Sequence, residues 1–231
     1  HFHAKFLVTD PGTAPRGWLS TANFNRALLD SVELGVELTP SAAQDLAGWF
    51  NRMFWMEAER ELREAGRLAK APTAPATPSE PGGTEIYVTT TSTQTLRAAV
   101  LELIENAEAE LIVCSYGLDA DHDTVKALVG KARAGVKVTV LTRPRPAIAL
   151  AVGELTKAGV KVLAHDKLHA KVILADDRGL VMSANLQARG LDTGFEVGVM
   201  LDDAGVLALR HVLRDWQTVF PWRYADGAKR S

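Results

Sequence analysis

Two stretches of the sequence carry the same reactive residues in the same order. The pattern H-x-K-x4-D occurs in residues 3–10 and again in residues 169–176. Histidine titrates near neutral pH and can act as a nucleophile or as a proton donor, and lysine supplies a compact positive charge. Two such motifs around one position could bind and cleave a tetrahedral anion such as a phosphodiester. Chance would give two copies in roughly one chain in a thousand.

The repeat continues beyond the two motifs. A Ser/Thr-x-Asn turn and a Glu-x-Gly segment follow each of them, so we define a first copy (residues 3–36) and a second copy (residues 169–199). Asparagine offers two N–H donors to an anion. Glutamate is suited to accept a histidine ring N–H and fix its tautomer, although it could also be a simple strand-edge carboxylate. The matched residues are Thr21, Asn23 and Glu33 in the first copy and Ser183, Asn185 and Glu196 in the second.

Alternating strands and helices surround the second copy, and this order indicates a layered α/β domain. If each H-x-K lies on a strand, its His and Lys point to one face, and neighbouring strands bring Asn and Glu close. The predicted strands are 2–9, 17–20, 32–38, 85–89, 111–115, 136–141, 160–163, 168–175, 180–183 and 195–201. The predicted helices are 41–68, 93–107, 123–134, 147–158 and 204–219.

The predicted domain organisation is a pair of similar halves. Residues 1–68 form the C-terminal part of a first half, residues 69–84 a Pro/Ala-rich linker, residues 85–223 a complete second half, and residues 224–231 a tail. About 80 residues separate the linker from His169, whereas only two precede His3. We therefore expect the natural protein to extend upstream and the first half to be truncated at its N-terminus here.

The composition excludes several other classes of protein. Hydrophobic residues make up 47% of the chain, the formal net charge is −2 and there is one cysteine, so neither a disulfide framework nor a strongly basic nucleic-acid binder is indicated. No apolar run reaches the roughly 18 residues of a membrane helix. We expect a cytoplasmic protein without stable membrane insertion, and no cofactor.

The two motifs with their Ser/Thr-x-Asn turns resemble those of the phospholipase D superfamily. The resemblance runs from His3 to about Trp222, except for the linker. It implies two similar α/β/α halves with mixed sheets that place one active site at their interface. It also implies a metal-independent, two-step phosphodiester displacement through a phosphohistidine.

The resemblance further implies a role for each motif residue. His3 resembles the nucleophile and His169 the general acid, although the sequence does not decide their order. Asp10 and Asp176 match an aspartate that is more often structural than chemical, and they could cap hairpin turns. The positions that match phosphate-binding residues are Lys5, Lys171, Asn23 and Asn185, and the turn hydroxyls are those of Thr21 and Ser183.

The substrate is less constrained than the reaction. Arg143 and Arg145 follow a parallel-type strand, where they could bind a flanking phosphate or form a stiff solvated loop. This loop favours nucleic acid as the substrate. The alternatives are a phospholipase D or phosphatidyl transferase acting on phospholipid headgroups, and a non-catalytic module that binds phosphate polymers. The expected partners are the phosphodiester substrate and either the missing N-terminal half-domain or a second copy of the chain.

Overall fold

The computed structural model describes residues 2–63, 66–71, 76–225 and 228–230. The helices are α1 (Pro40–Glu57), α2 (Thr95–Asn106), α3 (Asp123–Arg133), α4 (Ala149–Lys157), α5 (Ala188–Leu191) and α6 (Asp203–Val219). The first seven strands are β1 (Phe6–Thr9), β2 (Arg16–Ser20), β3 (Gly35–Leu38), β4 (Arg60–Arg63), β5 (Arg67–Lys70), β6 (Ile86–Thr89) and β7 (Glu110–Cys114). The others are β8 (Lys137–Thr142), β9 (Lys161–Ala164), β10 (Val172–Ala175), β11 (Arg178–Met182), β12 (Glu196–Met200), β13 (Trp222–Ala225) and β14 (Ala228–Arg230).

The chain divides into two compact units. The larger contains residues 1–6, 19–36 and 87–231, and the smaller contains residues 7–18 and 37–86. All the residues singled out by the repeat, except the motif aspartate Asp10, belong to the larger unit. Among the described residues, none of the helices combines the length and the apolar character needed to cross a bilayer.

A mixed sheet forms the centre of the larger unit. In the described part of the chain it has nine strands in the order β14-β13-β9-β8-β7-β10-β11-β12-β6, with β7, β8 and β9 parallel and β10 antiparallel to β7. Alternate residues of β7 point to opposite faces. Leu111 and Val113 pack with α2, α3 and α4, whereas Ile112 and Cys114 pack with α6. The predicted α/β fold class is confirmed, with helices on both faces of the sheet.

The long helix predicted over residues 41–68 is wrong in its second part. Thr39 caps α1 by accepting the N–H of Ala42, and Pro40 occupies the first turn, where its missing N–H costs nothing. The helix ends at Glu57 because Ala58 adopts an extended conformation. The residues that follow form the β4–β5 hairpin.

The two H-x-K motifs do not lie on regular strands, contrary to the prediction. The strands begin only after each motif lysine, at Phe6 and at Val172. The preceding backbone bonds to the other copy instead: the N–H groups of residues 3 and 4 both donate to the carbonyl of Phe195, and those of residues 169 and 170 both donate to the carbonyl of Val32. Because these donors converge on one carbonyl, they cannot continue a regular ladder.

The predicted linker and the predicted tail differ in their secondary structure. Residues 72–75 of the linker lie outside the described residues, residues 67–70 form β5, and residues 76–83 contain no helix or strand. Of the residues predicted as a tail, 224–225 belong to β13 and 228–230 form β14, both of which join the large sheet, and residues 226, 227 and 231 lie outside the described residues. The predicted division of the chain into a first half that ends at residue 68 and a second half that begins at residue 85 stays a prediction.

The motif aspartates are structural elements of the fold. Asp10 and Asp176 adopt the left-handed conformation, with φ of 48° and 47°, which aspartate tolerates better than most residues. The carboxylate of Asp176 accepts the backbone N–H groups of Glu108, Ala109 and Glu110 at 2.7, 3.0 and 2.8 Å. It therefore holds the start of β7 against the β10–β11 hairpin. Burial alone would raise the pKa of Asp176, but these three donors lower it below its usual value.

The two copies differ in what covers them. Leu186 and Leu191 of the second copy are fully buried, and Leu186 lies beside Leu118 from the segment after β7. The residues at the matching positions of the first copy, Phe24 and Leu29, are 66% and 87% exposed.

Replacing Asp176 by Asn should lower the free energy of unfolding by about 1–2 kcal/mol at neutral pH, because charged acceptors make the stronger hydrogen bonds. The folded pKa of Asp176 lies below its unfolded value, so this stabilisation is present above about pH 4 and is lost as the pH falls through the folded pKa. Urea unfolding at neutral and acidic pH measures both effects. The neighbouring exposed Asp177→Asn variant is the control, and equal effects of the two variants would contradict the assignment.

Candidate active site

Each histidine of the repeat pairs with the glutamate of the other copy. Nδ1 of His3 lies 2.6 Å from Oε1 of Glu196, and Nδ1 of His169 lies 2.7 Å from Oε1 of Glu33. A carboxylate at Nδ1 favours the tautomer in which Nδ1 carries the proton and Nε2 keeps its lone pair. The sequence argument placed each glutamate near the histidine of its own copy, and the structure instead crosses the pairs.

The turn hydroxyls hold these glutamates in place. Thr21 donates its hydroxyl to Oε2 of Glu33 at 2.7 Å, and Ser183 donates to Oε2 of Glu196. Both hydroxyls also accept the backbone N–H of the residue after the glutamate, at 2.9 and 3.0 Å. Burial alone would raise the pKa of Glu33, but the hydrogen bonds from His169 and Thr21 lower it. Each carboxylate is therefore fixed on one side and faces a histidine on the other.

The two motif lysines are buried beside these pairs. Lys171 is fully buried and Lys5 is 5% exposed. Each ammonium donates to the backbone carbonyl of the histidine two residues before it, and Lys171 Nζ also lies 3.3 Å from the carbonyl oxygen of Thr21. An ammonium carries three donors, and Lys171 Nζ also lies 3.1 and 3.3 Å from the ring nitrogens Nδ1 and Nε2 of His169.

Burial changes the pKa of both lysines. It lowers the pKa of Lys5 to about 8, against the opposing attraction of Glu196 and Glu33. It lowers the pKa of Lys171 to about 7, where attraction by Glu33 opposes the shift and repulsion by Lys5 adds to it. A bound anion would favour the charged forms of both side chains.

Both histidines open onto one cavity of about 370 Å³. Six of the residues singled out in the sequence line it: His3, Asn23, Glu33, Arg143, His169 and Asn185. Glu196 lines the adjoining cavity, which also includes His3 and Asn185. The structure therefore brings together the two histidines, lysines, asparagines and glutamates. Their individual chemical roles stay predictions.

The two arginines take different positions. Arg143 lines the cavity, whereas Arg145 does not and places its guanidinium 4.1 Å from the ring centre of Tyr116. Tyr116 was missed by the sequence argument, although it lines the cavity. Its ring centre lies 5.1 Å from that of His169, and the two rings form a T-shaped pair. Its position directly after β7, at the carboxyl end of a parallel strand, is the signal that could have identified it.

The described side chains form no cluster of metal-binding residues. Across the ranges that the structure describes, no group of three or more His, Cys, Asp or Glu side chains is arranged to hold a metal ion. The expectation of a metal-independent reaction stays an expectation. The single cysteine, Cys114, is fully buried in the sheet, and burial raises the pKa of its thiol well above the usual value.

Sequence comparisons identify relatives of the second half. Residues 100–218, about half of the chain, match the family model described as "Cardiolipin synthase, PLD-like domain". Cardiolipin synthase A of Buchnera aphidicola is 31% identical over 119 residues, which cover 47% of this chain and 24% of that protein. The Erwinia tasmaniensis enzyme is 32% identical over 121 residues, covering 48% and 25%. The matched region is thus about a quarter of the length of these curated relatives.

Solved structures share the fold at lower identity. The phospholipase D family member Nuc from Salmonella typhimurium has a TM-score of 0.54 at 21% identity, covering 61% of this chain and 97% of its own. Polyphosphate kinase from Porphyromonas gingivalis has a TM-score of 0.65 at 16% identity, covering 99% and 35%. Phosphatidylserine synthase from Haemophilus influenzae has a TM-score of 0.61 at 14% identity, covering 96% and 63%. At these identities the likeness concerns the fold alone.

The layered fold brings the crossed histidine–glutamate pairs of the two copies to one cavity region. With the family match over residues 100–218, the chain belongs to the phospholipase D superfamily, in the family described as cardiolipin synthase, PLD-like domain. The resemblance noted in the sequence is confirmed at this level.

The crossed pairing predicts which histidine responds to each glutamate. Glu196→Gln should disturb the ring-nitrogen NMR signals of His3 and leave those of His169 in place, and Glu33→Gln should do the reverse. Each variant should also lower kcat by about a hundredfold or more, because the histidine tautomer is no longer fixed. Glu37→Gln, at a solvent-exposed ion pair with Arg16, is the control. A Glu196→Gln variant that shifts only the His169 signals would contradict the crossed arrangement.

The lysine pKa values predict how anion affinity depends on pH. Dimethyl phosphate stays a monoanion between about pH 6.5 and about pH 9, so its dissociation constant reports on the protein. The dissociation constant should rise above about pH 7, by up to about tenfold per pH unit for each of Lys171 and Lys5 that loses its proton. Calorimetric titration measures it. Lys5→Met should bind weakly, and the surface Lys126→Met variant should follow the parent; a constant affinity up to about pH 9 would refute the prediction.

Proposed function

We propose that the chain provides the catalytic site of an enzyme that transfers or hydrolyses the phosphodiester of a phospholipid through a phosphohistidine. The observation that carries the proposal is the pair of crossed His–Glu contacts, which hold both Nδ1 atoms and orient two histidines that line one cavity beside two buried lysines. A phosphodiester has one phosphorus to attack and one oxygen to protonate, which matches two histidines in complementary protonation states.

In the first step the lone pair on Nε2 of His3 attacks phosphorus. The P–O bond to the leaving alcohol breaks as the N–P bond forms, and protonated His169 donates its Nε2 proton to the departing oxygen. Lys5, Lys171 and the amides of Asn23 and Asn185 stabilise the negative charge on the non-bridging oxygens. Glu196 stabilises the positive charge that develops on the ring of His3.

In the second step an acceptor hydroxyl replaces the leaving alcohol. Neutral His169 takes the proton of that hydroxyl while the hydroxyl oxygen attacks phosphorus. The N–P bond breaks and His3 is restored. Water as the acceptor gives hydrolysis, and a second alcohol gives transfer. The first-copy histidine serves here as the nucleophile because the superfamily resemblance suggests this order, and the near-symmetry of the two pairs allows the reverse.

The relatives favour phospholipid over nucleic acid as the substrate. The family model and the relatives at 31% and 32% identity carry the name cardiolipin synthase, whereas the sequence alone favoured nucleic acid because of its arginine loop. The Nuc structure is similar at 21% identity and supports the fold only. The cytoplasmic location and the need for an upstream half-domain or a second copy remain proposals as well.

His3→Ala and His169→Ala should each lower turnover of phosphatidylglycerol by about a thousandfold or more, since both transfer steps need both rings. In the proposed order, His169→Ala should accumulate an acid-labile phosphoryl adduct and His3→Ala should not. The assay measures headgroup release by the full-length protein, with the exposed His211→Ala variant as the control. Histidine-dependent cleavage of single-stranded DNA without phospholipid turnover would establish the nucleic-acid alternative. Ligand binding without any turnover, unchanged in both variants, would indicate the non-catalytic module.

A further inference from the structure

Two arginines follow strand β8, and one of them, Arg143, lines the cavity of the candidate active site. Arg143 and Arg145 follow β8 at the carboxyl ends of the parallel strands, where ligands of open α/β sheets bind. The end of β8 is anchored, because Thr142 donates its hydroxyl to the carbonyl of Ser115 at 2.8 Å. Prolines follow both arginines and restrict the backbone of the loop. The backbone that carries the two guanidinium groups is therefore conformationally restricted.

Tyr116 connects these arginines to the catalytic centre. Its ring centre lies 4.1 Å from the guanidinium carbon of Arg145 and 5.7 Å from that of Arg143. It also lies 5.1 Å from the ring centre of His169, in a T-shaped arrangement. The loop that carries Tyr116 is itself fixed, because Gly117 donates its N–H to Oδ1 of Asn185 at 3.2 Å. The aromatic ring is thus a platform with cations above it and a site histidine beside it.

The charges around the cavity leave these two arginines uncompensated. At the centre, the two lysines face two carboxylates, Glu33 and Glu196. Within the part of the chain that the structure describes, Arg143 and Arg145 have Tyr116 as their recorded partner and form no ion pair with a carboxylate. A guanidinium binds phosphate oxygens through two parallel N–H donors, which makes a partly exposed arginine pair suited to one phosphate group.

We propose that Arg143, Arg145 and Tyr116 form a second phosphate subsite, separate from the position where phosphorus is attacked. Arg143 contacts the second phosphate directly from the wall of the cavity. Arg145 adds positive charge over the Tyr116 ring and keeps that ring in place. The ligand is a phosphate group about one short linker away from the reacting phosphodiester.

The second phosphate can belong to either of two molecules. It can be part of the acceptor alcohol, so that a phosphate-bearing alcohol competes better than water for the phosphoryl-enzyme. It can also belong to the donor, as a neighbouring phosphate in the same chain. This inference rests on the proposed function for its catalytic meaning, whereas the binding of two anions is independent of turnover.

The first experiment measures binding alone. Methylphosphonate carries one anionic group and propylene bisphosphonate carries two, and neither can be hydrolysed at its C–P bonds. Arg143→Gln should weaken binding of the bisphosphonate by about tenfold or more and binding of methylphosphonate by less than about twofold. The reason is that the variant loses one charged contact, and only the second anionic group makes that contact. Arg214→Gln on the exposed face of α6 is the matched control. Equal weakening of both ligands, or of neither, overturns the proposal, whether or not the protein turns over phospholipid.

The second experiment identifies the source of the second phosphate. With phosphatidylcholine as donor, Arg143→Gln should lower transfer to glycerol phosphate about tenfold relative to transfer to glycerol if the acceptor carries the group. If the donor carries the second phosphate, the variant should instead raise the KM for a dinucleotide with two phosphates by about tenfold, relative to the KM for a dinucleotide with one phosphate. Either selective change supports the subsite, and a variant that changes neither ratio overturns it.

Discussion

The crossed contacts between the two copies are the constraint on which the rest of the site depends. Each glutamate is fixed by a hydroxyl of its own copy and faces the histidine of the other. The backbone follows the same rule, because the N–H groups at each motif bond to a carbonyl just before the opposite glutamate. Neither crossed histidine contact can therefore form unless both copies are assembled.

Burying two lysines beside each other is electrostatically unfavourable, and the surroundings offset this only in part. Desolvation lowers the pKa values of both lysines and repulsion by Lys5 lowers that of Lys171 further, whereas Glu33 and Glu196 oppose these shifts. A tetrahedral anion bound between the lysines would remove the remaining penalty. The strained charge arrangement therefore favours ligand binding at the expense of the stability of the free protein, a common compromise at catalytic sites.

The two copies contribute matching residues to the site. Each copy supplies a histidine, a lysine, an asparagine and a glutamate. Beside this set, Tyr116 and Arg143 line the same cavity, and the ring of Tyr116 packs against that of His169. A nearly symmetric set of side chains therefore has an aromatic ring and a cation next to His169.

The sequence by itself determined the repeat, the reactive residues and the α/β layering. Residue identity limits chemistry: only a few side chains can attack phosphorus or bind its oxygens, and their repetition at fixed spacing is visible without coordinates. Helices α2, α3, α4 and α6 were also predictable within about two residues, because their apolar period follows from burying one face.

Only the tertiary structure decided which partners meet. The H-x-K segments look like strands locally, yet their backbone donors bond to the opposite copy and leave the ladder. The pairing of His3 with Glu196 joins residues 193 positions apart, and no local propensity encodes it. The same holds for Tyr116 beside His169, and for a helix that ends at Glu57 in favour of a hairpin. Long-range contacts of this kind depend on the packing of the whole sheet, which a local pattern does not contain.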